Sequence, residues 1–76
     1  MIDLGLLQQA IEERKLVDFD YVDRQGNATH RGSVEAYEIK LGFFYGVCFE
    51  HQQIHSFKLA NMANLFVTDQ TFAPRW

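Results

Sequence analysis

The feature that most constrains the fold is a series of short apolar segments in the last third of the chain. They are Phe43–Phe49, Ile54–Leu59 and Met62–Thr68, separated by a polar turn and by a break at Ala60-Asn61. Each segment has the length of a typical β-strand. Phe43–Phe49 is apolar on both faces, which indicates an interior strand, covered by the core on one side and by a helix or a partner on the other.

The beginning of the chain combines one helical segment with one strand. Asp3 is placed to cap a helix within residues 3–14, because its carboxylate can accept the free amide hydrogens of the first turn. Leu4, Leu7 and Ile11 recur at helical spacing and form the apolar side of that helix. Residues 16–22 then alternate strictly between apolar and polar side chains, a pattern typical of a half-buried strand.

A further strand is predicted between about residues 28 and 39, with a bend or bulge near Gly32. The whole pattern is a helix followed by five short strands, at about 16–22, 28–39, 43–49, 54–59 and 62–68. It predicts one domain, residues 1–76, with a mainly β fold and one N-terminal helix. The expected architecture is a small, strongly bent, five-stranded antiparallel barrel whose open side is plugged by the helix. The expected core under the helix consists of Phe19, Tyr21, Val47, Phe57, Leu65 and Val67.

Composition narrows the classes of function. The chain of 76 residues is 47% hydrophobic, which is typical of a globular domain, and its formal net charge is −3. Free-standing nucleic-acid binders are usually basic, so this balance argues against tight, non-specific binding of DNA or RNA. The chain has neither an apolar run of about 18 residues nor a signal-peptide pattern, and its single cysteine suits a reducing compartment. We therefore expect a cytoplasmic protein that does not enter a membrane.

Residues with catalytic or metal-binding chemistry are sparse. Cys48, His51 and His55 form the one metal-like group, and a four-residue turn at Glu50–Gln53 would place Cys48 opposite His55. Zinc requires four ligands, and neither spacing is that of a zinc finger, so a buried thiol beside a half-exposed imidazole is the favoured interpretation. No nucleophile elbow, catalytic triad or phosphate-binding glycine loop is present. The sequence predicts no enzyme, no metal site and no cofactor.

The remaining candidate is a surface around the third and fourth strands. Tyr45, His55, Lys58 and Asn61 are polar groups that alternate with aromatic residues. Small barrels hold nucleobases by stacking on an aromatic ring, with a cation near the phosphate. The alternative is that Tyr45 and Phe57 belong to the core while Lys58 extends to solvent.

The chain resembles the WYL-domain family, small ligand-sensing modules found mostly in bacterial transcription regulators. The family's Trp-Tyr-Leu strand matches Phe44-Tyr45-Gly46, its R-x-F-R-L-x-R-I segment matches residues 55–62, and its Thr-Asp-x-x-Phe-like tail matches residues 68–72. The resemblance implies a barrel like those of SH3-like and Sm-like proteins. Most such domains follow a DNA-binding helix-turn-helix, which these residues do not contain, so we expect an excised domain or a stand-alone module.

The departures from the family pattern concern the residues that would bind a ligand. Of the family's three arginine positions, His55 occupies the first, Lys58 the second and Asn61 the third. Arginine's planar fork suits phosphate better than lysine does, so we expect micromolar or weaker affinity. Lys58 should contact any anionic ligand, His55 should add a charge only when protonated, and Tyr45 should supply stacking or a hydroxyl contact.

Two functions from different classes follow from these residues. One is a regulatory sensor that binds a nucleotide or single-stranded nucleic acid weakly on the surface of the third and fourth strands. The other is a protein-interaction module, in which a homodimer mate or another partner covers Phe43, Phe44 or Trp76.

Overall fold

The computed structural model describes residues 2–48 and 52–74. The helix α1 (Leu4–Glu12) precedes all the strands. The strands are β1 (Lys15–Val22), β2 (Ala28–Lys40), β3 (Phe43–Cys48), β4 (Ile54–Lys58) and β5 (Met62–Thr71). A single 3-10 turn, Leu59–Asn61, connects β4 to β5. No helix in the described part of the chain is long and apolar enough to cross a membrane.

All five strands belong to one antiparallel sheet with the order β4-β3-β2-β1-β5. The predicted mainly β fold with one N-terminal helix is therefore confirmed. Across the described residues no ladder of hydrogen bonds joins β4 to β5, so the sheet is not closed and the predicted barrel is not confirmed. β3 lies between two other strands, as its apolar sequence indicated.

The helix forms for the predicted reason but buries a different set of side chains. The carboxylate of Asp3 accepts a hydrogen bond from the amide of Leu6 at 3.1 Å, which caps the first turn. Leu7, Ala10 and Ile11 are buried against the sheet, whereas Leu4 is 41% exposed, so its placement in the core was wrong. Leu4 stands one turn before Leu7, at the helix end that overhangs the core.

The helix also ends earlier than residue 14. α1 stops at Glu12, and Arg14 has a positive φ of 56° that turns the chain into β1. The amide of Phe72, just beyond β5, donates to the carbonyl of Arg14 at 2.9 Å. β5 consequently continues to Thr71, paired with Lys15, although its apolar pattern had predicted an end at Thr68.

Bulges bend the long strands. In β2, Gly32 and Ser33 lie opposite the single residue Asp18, and Ser33 has a positive φ of 54°. The carboxylate of Asp18 accepts a hydrogen bond from the Ser33 amide at 2.8 Å, which stabilises this irregular backbone. The bulge predicted near Gly32 is therefore confirmed. A second irregularity, at Tyr37, interrupts the β2–β3 ladder between Ala36 and Glu38.

The core lies between α1 and the concave face of the sheet. Its buried strand residues are Val17, Phe19, Val34, Ala36, Phe44, Cys48, Phe57 and Met62. Tyr21, Leu65 and Val67 pack against it in part, and the rings of Phe19 and Phe57 meet edge to face at 5.0 Å. Most of the predicted core is thus present.

Two predictions for β3 need correction. Val47 is fully buried, but it lies outside this cluster because Phe44 and Cys48 occupy the other parity of the strand and face the core. Phe44 is likewise fully buried within the single chain, so it does not need a partner to cover it. Phe43 is 38% exposed, and Trp76 lies outside the described residues.

The predicted pairing of Cys48 with His55 is also wrong. Gly46 lies opposite His55, and Val47 lies opposite Ile54. The last paired residues of this hairpin are Val47 and Ile54, so the connection between them is longer than four residues. The amide of Gln52 donates to the carbonyl of Cys48 at 2.9 Å within it. Cys48 and His55 share a face of the sheet but are displaced along the ladder.

Candidate functional site

Strand β4 divides the predicted site residues between its two faces. Lys58 lies opposite Phe43 and Ser56 lies opposite Tyr45, so these four side chains share the face that is turned away from the core. His55 shares the other face with Phe57, whose ring is buried in the core. Tyr45 and Lys58 are therefore on one surface, and His55 is on the opposite one.

A pocket of about 710 Å³ opens between the β1–β2 turn and the exposed face of β4. Its lining residues are Tyr21, Asp23, Arg24, Phe43, Ser56, Lys58 and Asn61. Of the predicted site residues, Lys58 and Asn61 line this pocket, and Tyr45 and His55 do not.

Tyr21 forms part of the pocket wall and contacts both the backbone and the core side of β4. Its hydroxyl accepts a hydrogen bond from the backbone amide of Lys58 at 2.9 Å, and its ring meets that of Phe57 edge to face at 5.1 Å. The amide of Leu59 donates to the carbonyl of Gly42 at 3.0 Å on the other side. The backbone of Lys58 is therefore held from two directions, while its side chain remains exposed to solvent.

The β1–β2 turn supplies a second cation, Arg24. The carboxylate of Asp23 accepts hydrogen bonds from the amides of Gln25 and Asn27 at 2.9 and 3.0 Å, which orders the turn. Gly26 has a φ of 83°, as its place in the predicted turn required. Asp23 thus uses one carboxylate oxygen within the turn, whereas Arg24 is exposed at the pocket. Sequence reasoning overlooked Arg24, although its position beside the strand that ends at Tyr21 was a usable signal.

The electrostatics around the pocket favour an anion near Phe43. Lys40 and Lys58 lie opposite Phe43 on its two neighbouring strands, so both lysines share its face of the sheet. Phe43 is 38% exposed, which leaves part of its ring accessible. An accessible aromatic ring between two cations can stack a planar group while the cations contact attached phosphate or carboxylate oxygens.

The opposite face of β4 carries a different group around Phe57. The guanidinium carbon of Arg31 lies 5.7 Å from the centroid of the Phe57 ring, and the ring of His55 lies 6.1 Å from it. Arg31 reaches this position from β2, where it pairs with Phe19. Sequence reasoning did not single out Arg31, because nothing in the local pattern of β2 marks its approach to β4.

Asp20 is the centre of a third polar group, on the outer surface of β1. Its two carboxylate oxygens contact the Asn64 amide nitrogen at 2.8 Å and the His30 Nδ1 at 3.0 Å. The hydrogen bond from Asn64, and then that from His30, lower the pKa of Asp20 below its ordinary value. The sequence indicated a solvated strand face here, and the structure adds that the face is cross-linked between β2, β1 and β5.

The predicted metal-like group is not assembled in the part of the chain that the structure describes. There, no three side chains of His, Cys, Asp or Glu are close enough together to hold a metal ion. Cys48 is buried, and His51 lies outside the described residues.

The residues that carry the family pattern include two that line the pocket, Lys58 and Asn61. A family model described as the WYL domain matches residues 3–67. The chain belongs to the WYL-domain family. No curated protein and no solved structure matches the chain. WYL domains are generally regulatory or sensory modules without catalytic activity.

In this WYL domain the family's three arginine positions do not share one surface. The first, His55, faces the side of β4 that carries Phe57 and Arg31, whereas the second and third, Lys58 and Asn61, line the pocket. Lys58 is the last residue of β4, and Asn61 is the last residue of the 3-10 turn. The spacing between these two motif positions is therefore set by the length of that turn.

Proposed function

We propose that this WYL domain is a sensor module of transcription regulation that binds a nucleotide or single-stranded nucleic acid weakly in the pocket beside β4. The supporting observation is the convergence of Lys58, Asn61 and Arg24 on one pocket with the accessible ring of Phe43. In this proposal the ring stacks a base, the two cations contact phosphate oxygens, and the Asn61 amide provides a directional hydrogen bond.

The open gap between β1 and β4 supports this assignment. We infer that the domain is an open relative of the small SH3-like and Sm-like barrels, in which the Tyr21–Lys58 hydrogen bond links β1 to β4 although these two strands do not pair. The side chains of β4 and of the β1–β2 turn that line the opening beside this bond are accessible to a ligand. Tyr45, on the same face of β3 as Phe43, extends the aromatic surface beside the pocket.

Weak affinity follows from the charges. Arg24 and Lys58 contribute two cations, Asp23 contributes one carboxylate to the same pocket, and the whole chain is acidic at −3. Single-stranded nucleic acid loses affinity with salt by a slope of about −0.7 per phosphate contact, so two contacts give a slope of about −1.4. We expect micromolar or weaker binding with this shallow dependence.

Fluorescence anisotropy with a short labelled oligonucleotide, at two salt concentrations and two pH values, tests the proposal. Lys58→Ala and Arg24→Gln should each weaken binding and reduce the salt slope. Lys15→Ala is the matched control, because Lys15 lies at the other end of β1 and pairs with Glu13 at 3.6 Å. Competition by a mononucleotide would show that one base and its phosphate suffice. Nanomolar binding that survives Lys58→Ala, or equal losses in Lys15→Ala, would reject the pocket.

The binding measurements at two pH values also test whether His55 contributes to the pocket. His55 faces away from the pocket, on the side of Phe57. Its protonation therefore changes binding only through the overall charge, and His55→Gln should preserve most of the affinity at both pH values. A strong rise in affinity at low pH that disappears in His55→Gln would instead restore His55 to the site.

A second candidate function is a protein-interaction module, and the exposed ring of Phe66 favours it. Phe66 is 63% exposed on β5, an edge strand with a partner strand on one side only among the described residues. It lies opposite Asp18, on the face of the sheet directed away from the core. An exposed aromatic ring on an edge strand is typical of a contact site for another chain.

Light scattering across a concentration series tests this candidate. If a homodimer forms through β5, Phe66→Ser should shift the mass toward the monomer. Leu41→Ser should not, because Leu41 is 86% exposed in the β2–β3 turn, away from β5. A monomer mass for the unchanged protein at high concentration would reject the homodimer through β5 and leave the sensor function as the favoured candidate.

A further inference from the structure

We propose that Arg31 forms a second binding site, separate from the pocket, that takes a small oxyanion such as a phosphate or carboxylate group. The site lies on the core-side face of β4, where Arg31 and His55 approach the ring of Phe57. It does not depend on the proposed pocket, because neither Arg31 nor His55 lines that pocket.

The Arg31 side chain has a buried donor without a partner in the described part of the chain. It is half-buried, and its Nε is buried without a hydrogen-bond partner among the described residues. The described ion pairs involve Lys15 with Glu13 and His30 with Asp20, and no carboxylate within the described ranges pairs with Arg31. A half-buried guanidinium keeps its charge at every accessible pH, so an anion is the partner that its surroundings lack.

The guanidinium of Arg31 lies against an aromatic ring that is itself held in the core. Phe57 is 3% exposed and is fixed by edge contacts with Phe19 at 5.0 Å and Tyr21 at 5.1 Å. Arg31 therefore lies over a rigid ring, at 5.7 Å from its centroid. The contact with this ring restricts the positions of the guanidinium, whose planar fork of N–H groups matches two oxygens of one oxyanion.

His55 contacts the same ring as Arg31. Its imidazole lies 6.1 Å from the Phe57 ring centroid, with an angle of 44° between the planes. Two nitrogen-bearing side chains, from β2 and β4, thus flank one aromatic ring. Binding of an oxyanion here would connect the two strands across the concave face, next to the Tyr21–Lys58 hydrogen bond.

The experiment follows the Nε–H resonances of the chain's four arginines by nitrogen-15 NMR. Sodium phosphate and sodium acetate are titrated separately against sodium chloride at constant ionic strength. The Arg31 resonance, assigned by its loss in Arg31→Lys, should shift and saturate, whereas that of Arg14, which lines neither site, should shift little and any shift of Arg24 reports binding in the pocket. The backbone amides of His55 and Phe57 should move along the same binding curve.

The variants separate this site from the pocket. Arg31→Lys keeps the charge but removes the planar fork, so oxyanion binding read from the β4 amides should weaken by about tenfold or more, the loss expected for one charge-assisted hydrogen bond. Arg24→Gln should leave the Arg31 response unchanged. The amide spectrum of each variant reports whether the fold is retained.

Each outcome decides the proposal. Saturation with both anions supports a general oxyanion site, and saturation with phosphate alone narrows it to phosphate groups. Equal shifts of all the arginine resonances, or an unchanged binding curve in Arg31→Lys, would overturn it. Loss of the response in Arg24→Gln with its retention in Arg31→Lys would assign the anion to the pocket instead.

Discussion

The hydroxyl of Tyr21 accepts a hydrogen bond from the backbone amide of Lys58 at 2.9 Å, across the gap between β1 and β4. These residues lie in strands that are not neighbours in the sheet. The contact brings the β1–β2 turn to the β4 edge, and the pocket that contains Lys58 and Arg24 forms beside it. One side-chain hydroxyl thus links the fold to the candidate site.

Replacing Tyr21 with Phe should reduce both stability and ligand binding. The ring contact with Phe57 is retained, so the loss is that of one hydrogen bond, about 0.5–1.5 kcal/mol of unfolding free energy. Denaturant titration measures this loss. Tyr45→Phe is the control, since it removes a hydroxyl from a half-buried tyrosine of β3 outside the gap. Equal stability losses in the two variants would show that the Tyr21–Lys58 bond has no special role.

Replacing Leu7 with Ala should destabilise the domain by about 2–5 kcal/mol. Leu7 is fully buried in the core on the side of α1 that packs against the sheet, so its truncation leaves a cavity there. Leu6→Ala, at a position that is 39% exposed on the same helix, should change the unfolding free energy by about 0.5 kcal/mol or less. An unchanged melting temperature for Leu7→Ala would mean that the helix is not docked in solution.

The fold was largely predictable because local patterns determine each element. The Asp3 cap, the alternation of β1 and the glycine turn at Gly26 are short-range features, and each indicated the right structure. The error in the β3–β4 hairpin is one of register. The residue opposite His55 is Gly46 and not Cys48, a shift of two residues along β3.

The candidate site was less predictable because it depends on approaches between distant strands. Lys58 and Asn61 were identified from the sequence, and both line the pocket. Arg24 lies in the turn between β1 and β2, and Arg31 lies in β2. Both are far along the chain from Lys58 and Asn61. The bulge at Gly32 and Ser33 alters the course of β2, and no local pattern in the sequence reports the resulting approach of Arg31 to Phe57.

The pKa of Asp20 provides a test of the outer surface. Its pKa is lowered chiefly by the hydrogen bond from Asn64 and next by that from His30. Asn64→Ala should raise the pKa toward the ordinary value of 3.8, as measured by carboxyl NMR titration. A carboxyl with a lowered pKa stabilises the folded state above its unfolded-state pKa, and this contribution is lost as the pH falls through the folded-state value.

The stability difference between the unchanged protein and Asn64→Ala should therefore be full at neutral pH and shrink in acid, below about 3.8. His30→Gln should produce a smaller rise of the Asp20 pKa, since its contribution is second in size. An Asp20 pKa that is the same in all three proteins would show that the cross-strand contacts are absent in solution.

Gly46 explains one departure from the family pattern and leads to the last prediction. It stands where the Trp-Tyr-Leu strand has leucine, yet a Cβ on Gly46 would lie 2.7 Å from Val34 Cγ1, 2.9 Å from the Glu35 carbonyl oxygen and 3.0 Å from the Phe44 ring. Backbone and packed core side chains close this space, so even a methyl group requires the β2–β3 pair to separate. Overpacking of this kind costs about 1–3 kcal/mol, and Gly46→Ala should lower the unfolding free energy by at least that amount. Gly32→Ala is the matched control, because its Cβ would meet nothing closer than 3.7 Å. If Gly46→Ala proved as stable as Gly32→Ala, β2 and β3 would have to be less tightly paired in solution than the register at Ala36 and Gly46 indicates.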